Sequence, residues 1–191
     1  MTERVRCPWN ANDPLMIEYH DKEWGVPVKD DRVQFEHHLL EVFQAGLSWR
    51  TILHRREGFR KAFAGFDPVK VAKFGEKDVQ KLLNDEGIIR NNLKIRAAIN
   101  NANKFLELAE THGSFYDLLL QFKPKLKSAF KTIEEMPAET SESSALSKEL
   151  KSLGFKFVGP TTCYAHMQSV GIVNDHLVSC FRYREIEKMT S

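Results

Sequence analysis

Apolar residues recur at helical spacing along nearly the whole chain. The clearest run is Phe35, Leu39, Val42 and Phe43, at i, i+4, i+7 and i+8, which predicts a helix that Asp30 or Asp31 caps and Gly46 closes. Ser48 then caps a second helix through Trp49, Ile52 and Leu53, continuing through Arg55-Arg56 towards Phe63. On the first helix the wheel places Gln34, His37, His38 and Glu41 on the polar side, and periodicity alone reads Glu41 as solvated. Upstream, Asp13-Pro14 opens a short helix whose Leu15, Met16 and Tyr19 share a face, and downstream Asp67-Pro68 opens another carrying Val69 and Val71.

From Asp78 a helix with Val79, Leu82 and Leu83 runs into Asp85-Glu86-Gly87-Ile88-Ile89-Arg90. A long helix follows, with Ile95, Ile99, Ala102, Leu106 and Ala109 as its apolar stripe. Gly113 ends it, and Ser114 caps a further helix with Asp117 three residues on. The lysine-rich stretch between Lys123 and Thr140, broken by Pro124 and Pro137, predicts an irregular basic crossing. Thr140 or Ser141 then caps a helix that Gly154 terminates, and Gly159-Pro160 opens the last clear helix, through Cys163, Tyr164 and Met167 to Gly171. Phe155-Lys156-Phe157-Val158 alternates like a strand but has no second run to pair with. The fold class is therefore all-α. No repeat and no Gly/Ser linker divides residues 1–191, so one helical domain, with two lobes as the open variant, is expected.

Composition narrows the function classes only slightly. The chain has 191 residues, 42% of them hydrophobic, and no stretch that would span a membrane; the N-terminus lacks the apolar core of a signal peptide. A cytoplasmic monomer is expected. Net charge is only +2, which neither demands nor excludes a polyanionic partner. Three cysteines, Cys7, Cys163 and Cys180, do not make a disulfide framework. Cys163 reads as a small buried residue after Pro160.

Three features carry candidate chemistry. The segment from Cys7 to Pro27 concentrates Trp9, Tyr19 and Trp24, suited either to core packing or to a stacking wall. The hairpin at Gly87, with Arg90, Lys94 and Arg96 beside it, suits a phosphate held by backbone N–H groups and a helix N-terminus, or else a plain helix pair with a basic rim. Cys7, His20, His176 and Cys180 form a two-sulfur, two-nitrogen set, with His176-x-x-x-Cys180 expected on one helical turn. By spacing alone that set is a weak signal.

Two motifs connect these features. Tyr-His-Asp-x-Glu-Trp-Gly-Val-Pro at 19–27 and Leu-Glu-x-x-Gln-Ala-Gly-Leu-Ser-Trp at 40–49 resemble the type I DNA-3-methyladenine glycosylases, and the resemblance runs from Cys7 to Cys180. It implies a helix-hairpin-helix glycosylase fold, with Zn2+ held by Cys7, His20, His176 and Cys180 tying the termini together. It also implies hydrolytic release of 3-methyladenine from double-stranded DNA after base flipping, without strand cleavage. Glu41 then lies in the base pocket as recognition or catalytic carboxylate, with Tyr19, Trp9, Trp24 and Trp49 as base contacts. Gly46 and Leu47 form a turn at the DNA, where Leu47 either fills the gap left in the stack or is buried between two helices. Gly87, Arg90 and Lys94 complete the DNA contacts. Asp175, just before the metal histidine, reads as structural rather than as a catalytic aspartate.

The chain departs from the pattern at Met16, at Val42-Phe43, and at the hairpin, where Asn91, Asn92 and Leu93 replace a second glycine. These departures bear on substrate range and phosphate binding. The alternative from another class is a non-catalytic, zinc-stabilised DNA-binding protein. A zinc deaminase is excluded by the lack of its His-x-Glu and Pro-Cys-x-x-Cys signatures.

Overall fold

The helix carrying Glu41 has neighbours on every side. In the computed structural model, which describes residues 4–10 and 12–189, this helix is α2 (Asp31–Gln44), and it packs against α3 (Trp49–Leu53), α7 (Asn92–His112), α8 (Phe115–Leu120) and α10 (Pro160–Ser169). Around that core lie α1 (Pro14–Lys22), α4 (Arg56–Ala62), α5 (Pro68–Val71), α6 (Glu76–Leu83), α9 (Ser141–Ser152) and α11 (Phe181–Met189). Among the described residues all regular structure is helical, and no helix is long and apolar enough to cross a membrane. Residues 1–3, on which part of the reading of the N-terminus rests, lie outside the described residues.

Local signals account for most helix starts. Asp13 accepts from the Leu15 and Met16 N–H groups, Asp30 from Val33, Ser48 from Thr51, Asp67 from Val69 and Lys70, and Thr140 from Ser143. Gly46, just past the end of α2, takes φ +79, a left-handed conformation that glycine adopts without a Cβ penalty.

Several expectations are corrected. The face of α2 that periodicity made polar and solvated is buried, because a helix covered on all sides has no solvent face: Gln34, Glu36, His37, His38 and Glu41 are each at most 5% exposed. The helix begun at Trp49 stops at Leu53 and restarts at Arg56, with Arg55 at φ −103, ψ 3. The break turns α4 so that Gly58 lies on the hairpin, where a Cβ at Gly58 would stand 2.2 Å from the Gly87 carbonyl oxygen. Arg56 bridges Glu23 and Glu36 at 2.8 and 2.6 Å.

Helix α6, expected from Asp78, starts at Glu76, with Asp78 accepting from the Gly75 N–H inside its first turn. On α7 the buried stripe is Ile95, Ala98, Ala102, Phe105 and Leu108, since the small alanines admit neighbouring helices, while Ile99, Leu106 and Ala109 are only half-buried. Residues 155–158 form no strand. The segment from His176 to Cys180 is a turn rather than helix, and Cys180 precedes α11, a helix whose dense charge hides its period.

Two apolar clusters result. The larger surrounds α2, α7 and α10. The smaller joins both ends of the chain: Cys7, Met16, Tyr19, Trp24, Leu53, Leu177 and Cys180, with Trp9, Trp49, Ile133 and Met136 packed against them. Backbone bonds reinforce the junction, Phe181 N–H donating to the Val5 carbonyl at 3.0 Å and Gly25 N–H to the Gln168 carbonyl at 3.0 Å.

Candidate active site

Between the two clusters lies a cavity of about 460 Å³, enough for a flat heteroaromatic ring. Its walls are aromatic and come from separate elements: Trp9 from the turn after Cys7, Tyr19 from α1, Trp24 from just beyond it, and Trp49 from the start of α3. The rings brace one another, Trp9 and Trp24 edge to face at 5.0 Å, Tyr19 and Trp49 tilted at 5.0 Å. Glu41 enters from α2, and Ala165 and Gln168 from α10. Thus Tyr19, Trp9, Trp24, Trp49 and Glu41, singled out in the sequence, meet in one place.

Other lining residues were not anticipated. Ile133 and Met136 come from the stretch read only as a basic crossing, and no periodicity could have revealed them because the segment is irregular. Gln44, Ser48, Arg50 and Gln168 also line the cavity. Arg50 is tethered to Asp13 at 2.7 Å, beside His54, which reaches the same oxygen. Of the departures from the family pattern, Met16 lines the cavity, whereas Phe43 packs on Phe59 and Phe63 in the core and Val42 is fully buried. Only the first can alter the cavity directly.

The polar residues of α2 divide by whether they are partnered. Glu36 meets Arg56 and Arg60, Gln34 donates to the Val28 carbonyl, and His38 pairs with Asn101 at 3.0 Å. Glu41 has no hydrogen-bond partner among the described residues, and burial raises its carboxyl to about 8, which favours the neutral form near pH 7. His37, one turn earlier, is pushed down to about 4, first by burial and then by Arg56, and is neutral too. Burial, and after it the charge of Glu41, pushes the Tyr19 phenol well above its ordinary value. The cavity therefore presents one latent negative charge among apolar rings. A cation entering it would draw the proton off Glu41 and gain an ion pair in a poorly hydrated space.

Cys7, His20, His176 and Cys180 are all buried, with one candidate ligand atom from each within 4.8 Å of the others, and this group could hold a metal ion. Cys180 Sγ lies 3.5 Å from His20 Nε2 and 3.6 Å from His176 Nδ1. The remaining ring nitrogens are engaged outward, His20 Nδ1 with Asp21 at 2.7 Å and His176 Nε2 with the Trp24 carbonyl at 2.9 Å. Such outer partners set the tautomer and aim the other nitrogen inward. The cluster sits directly behind the aromatic wall, since Trp24 packs on His176 at 4.6 Å and Trp9 on His20 at 5.3 Å.

The residues expected at DNA separate. Leu47 is 40% exposed on its turn, which removes the buried-leucine reading, and a Cβ at Gly46 would meet nothing within 4 Å. Arg90 is exposed, with only a loose ion pair to Glu86 at 3.9 Å. Lys94 is not the exposed cation expected: it is buried, and its Nζ donates to the Phe43 and Ala45 carbonyls at 2.7 and 2.6 Å, closing the C-terminal end of α2. Gly87 serves the close packing against Gly58, and its N–H donates to Asp85.

Burial of Glu41 has a thermodynamic consequence. With a folded-state value near 8, the folded chain keeps a proton that the unfolded chain loses above the usual carboxylate range, so stability falls as pH rises through that interval. Glu41→Gln removes this penalty. Its melting temperature should exceed the parent's by several degrees at about pH 9, the gap closing by about pH 5. Equal melting temperatures throughout would mean that Glu41 is solvated.

The sequence and the fold have counterparts among known proteins. The sequence profile described as methyladenine glycosylase matches residues 9–183. The chain is 50% identical over 181 residues to DNA-3-methyladenine glycosylase 1 of Escherichia coli (strain K12), spanning 93% of this chain and 96% of that one. It superimposes on a crystal structure of a 3-methyladenine DNA glycosylase I with a TM-score of 0.89 at 46% identity, covering 93% of this chain and 98% of that one. The corresponding enzyme of Staphylococcus aureus, studied for its recognition of 3-methyladenine, matches with a TM-score of 0.87 at 32% identity, over 92% and 95% of the two chains. With its profile matched over nearly its full length and half of its residues shared with such an enzyme, the chain belongs to the methyladenine glycosylase family.

Proposed function

We propose that this protein is a DNA repair glycosylase that hydrolyses the N-glycosidic bond of 3-methyladenine in alkylated double-stranded DNA after flipping the base into the aromatic cavity. The observation that carries this reading is Glu41, a buried carboxyl group without a hydrogen-bond partner among the described residues, set among aromatic rings. In DNA, N3-alkylated adenine is cationic, so its arrival ionises Glu41 and is stabilised by it and by the ring faces. Neutral adenine offers no charge to drive that ionisation. Discrimination thus comes from charge, before any shape selection.

The cation is also its own leaving group. As the C1′–N bond breaks, its electron pair neutralises the base, the sugar gains oxocarbenium character, and water adds at C1′ and loses a proton. Glu41 acts chiefly in recognition and secondarily by stabilising positive charge on the sugar. Among the described residues no lysine lines the cavity, which supports a monofunctional enzyme without strand cleavage. Purified protein should release free 3-methyladenine from methylated DNA, and Glu41→Gln should lower that release by at least about tenfold while remaining folded. Undiminished release by the variant would remove Glu41 from the site.

Two elements serve DNA binding. Leu47, exposed beside Gly46 and close in sequence to Trp49, fills the gap left by the flipped nucleotide. The connection around Gly87 is a helix-hairpin-helix anchor in which the N–H groups of Ile89 and Arg90, accepted by no described residue, face a phosphate beside the Arg90 side chain. Leu47→Ala should bind DNA containing an abasic site several-fold more weakly with an unchanged melting temperature; normal binding by the variant would remove Leu47 from the DNA interface.

The metal cluster is a structural Zn2+ site, a Cys2His2 set with no open position, whose ion supplies folding energy by clamping the two chain ends behind the aromatic wall. Purified protein should carry about one zinc per chain, and Cys180→Ser should lower both zinc content and melting temperature. Metal-free protein of equal stability would defeat this assignment. The protein acts as a cytoplasmic monomer with one helical domain.

A further inference from the structure

Gln168 lines the cavity from α10, and its amide nitrogen is held from behind. Its Nε2 donates to Asp175 Oδ2 at 2.8 Å and lies 3.4 Å from the Met136 sulfur. Asp175 is itself held, since the buried Tyr164 hydroxyl donates to the same oxygen at 2.5 Å. A carboxylate accepts and does not donate, so the amide is oriented with its NH2 towards Asp175. What Gln168 offers the cavity is the carbonyl Oε1, an acceptor to which no described residue donates.

We propose that Gln168 is a specificity-determining residue: its Oε1 accepts a hydrogen bond from the exocyclic amine of a 6-aminopurine, with Asp175 and Tyr164 as positioning residues. The inference rests on the glycosylase reading above and deepens it. Charge at Glu41 separates alkylated from normal bases, but charge alone does not tell one N3-alkylated purine from another. A fixed acceptor adds the missing distinction. A 6-oxopurine at the same place sets a carbonyl oxygen against Oε1, leaving two acceptors facing one another and both without water. Without Asp175 the amide could rotate by half a turn and present NH2, which would accommodate either base.

The test compares the parent with Gln168→Met, which keeps the length of the side chain and removes the acceptor. Excision of 3-methyladenine and of 3-methylguanine from methylated DNA, and binding of the two free bases, are measured side by side. The preference for the adenine derivative should fall about tenfold in Gln168→Met, the worth of one discriminating hydrogen bond, in both assays. Tyr164→Phe, which frees Asp175, should lower the same ratio by a smaller factor. Because the readout is a ratio between two bases, general loss of folded protein does not move it. An unchanged ratio in Gln168→Met, or equal loss on both bases, overturns the proposal. A parent that releases neither base from DNA overturns the glycosylase reading itself, an outcome visible without any variant.

Discussion

A carboxyl group buried at 4% exposure with no hydrogen-bond partner among the described residues is costly, and the helices packed around α2 hold Glu41 in that position. The other polar side chains of α2 show that pairing was available: Glu36 and His38 meet partners on other helices, and Gln34 meets the Val28 carbonyl in the segment before α2. Glu41 alone among the carboxylates of that helix interior faces an aromatic cavity. Burial raises the proton affinity of Glu41 and favours its neutral form near pH 7. Lys94 supports this arrangement from the far side, closing α2 at the Phe43 and Ala45 carbonyls and fixing where Gly46 and Leu47 emerge.

The walls need their own support, because they are assembled from distant parts of the chain. Trp9, Tyr19 and Trp24 lie on an N-terminal segment, with Tyr19 on the short helix α1 and the two tryptophans on either side of it. The Cys7, His20, His176 and Cys180 cluster ties that segment to the C-terminal turn, and its histidines pack directly on Trp9 and Trp24. Ile133 and Met136, from an irregular stretch, cover the remaining side. The four-residue cluster, which could hold a metal ion, the aromatic wall and the Glu41 carboxyl are therefore stacked one behind the other, so that whatever orders the chain ends also orders the wall of the cavity.

Signals confined to a few residues were legible in the sequence. The caps at Asp13, Asp30, Ser48, Asp67 and Thr140, and the turn at Gly46, depend on neighbours in the chain and fall where residue type places them. Long-range facts were not legible. A helical wheel assumes one solvent face, so it misplaced the polar side of α2, which has none. Lys94 looked like a surface cation because nothing nearby in the chain announces the α2 carbonyls that it meets. Ile133, Met136 and Gln168 carry no period or motif pointing to a cavity. The aromatic and metal sets were recognised through the 19–27 and 40–49 motifs, and the geometry then brought them together.

The central claim is that Glu41 is protonated in the empty cavity and gives up its proton to a bound cation. Isotope-edited NMR of the Glu41 carboxyl carbon, assigned by its loss in Glu41→Gln, tests this most directly. In the free protein the carboxyl should titrate near 8, and binding of a cationic N-methylated purine should bring its midpoint down by more than one pH unit. A carboxyl that titrates in the ordinary range and is indifferent to the cation would contradict the account.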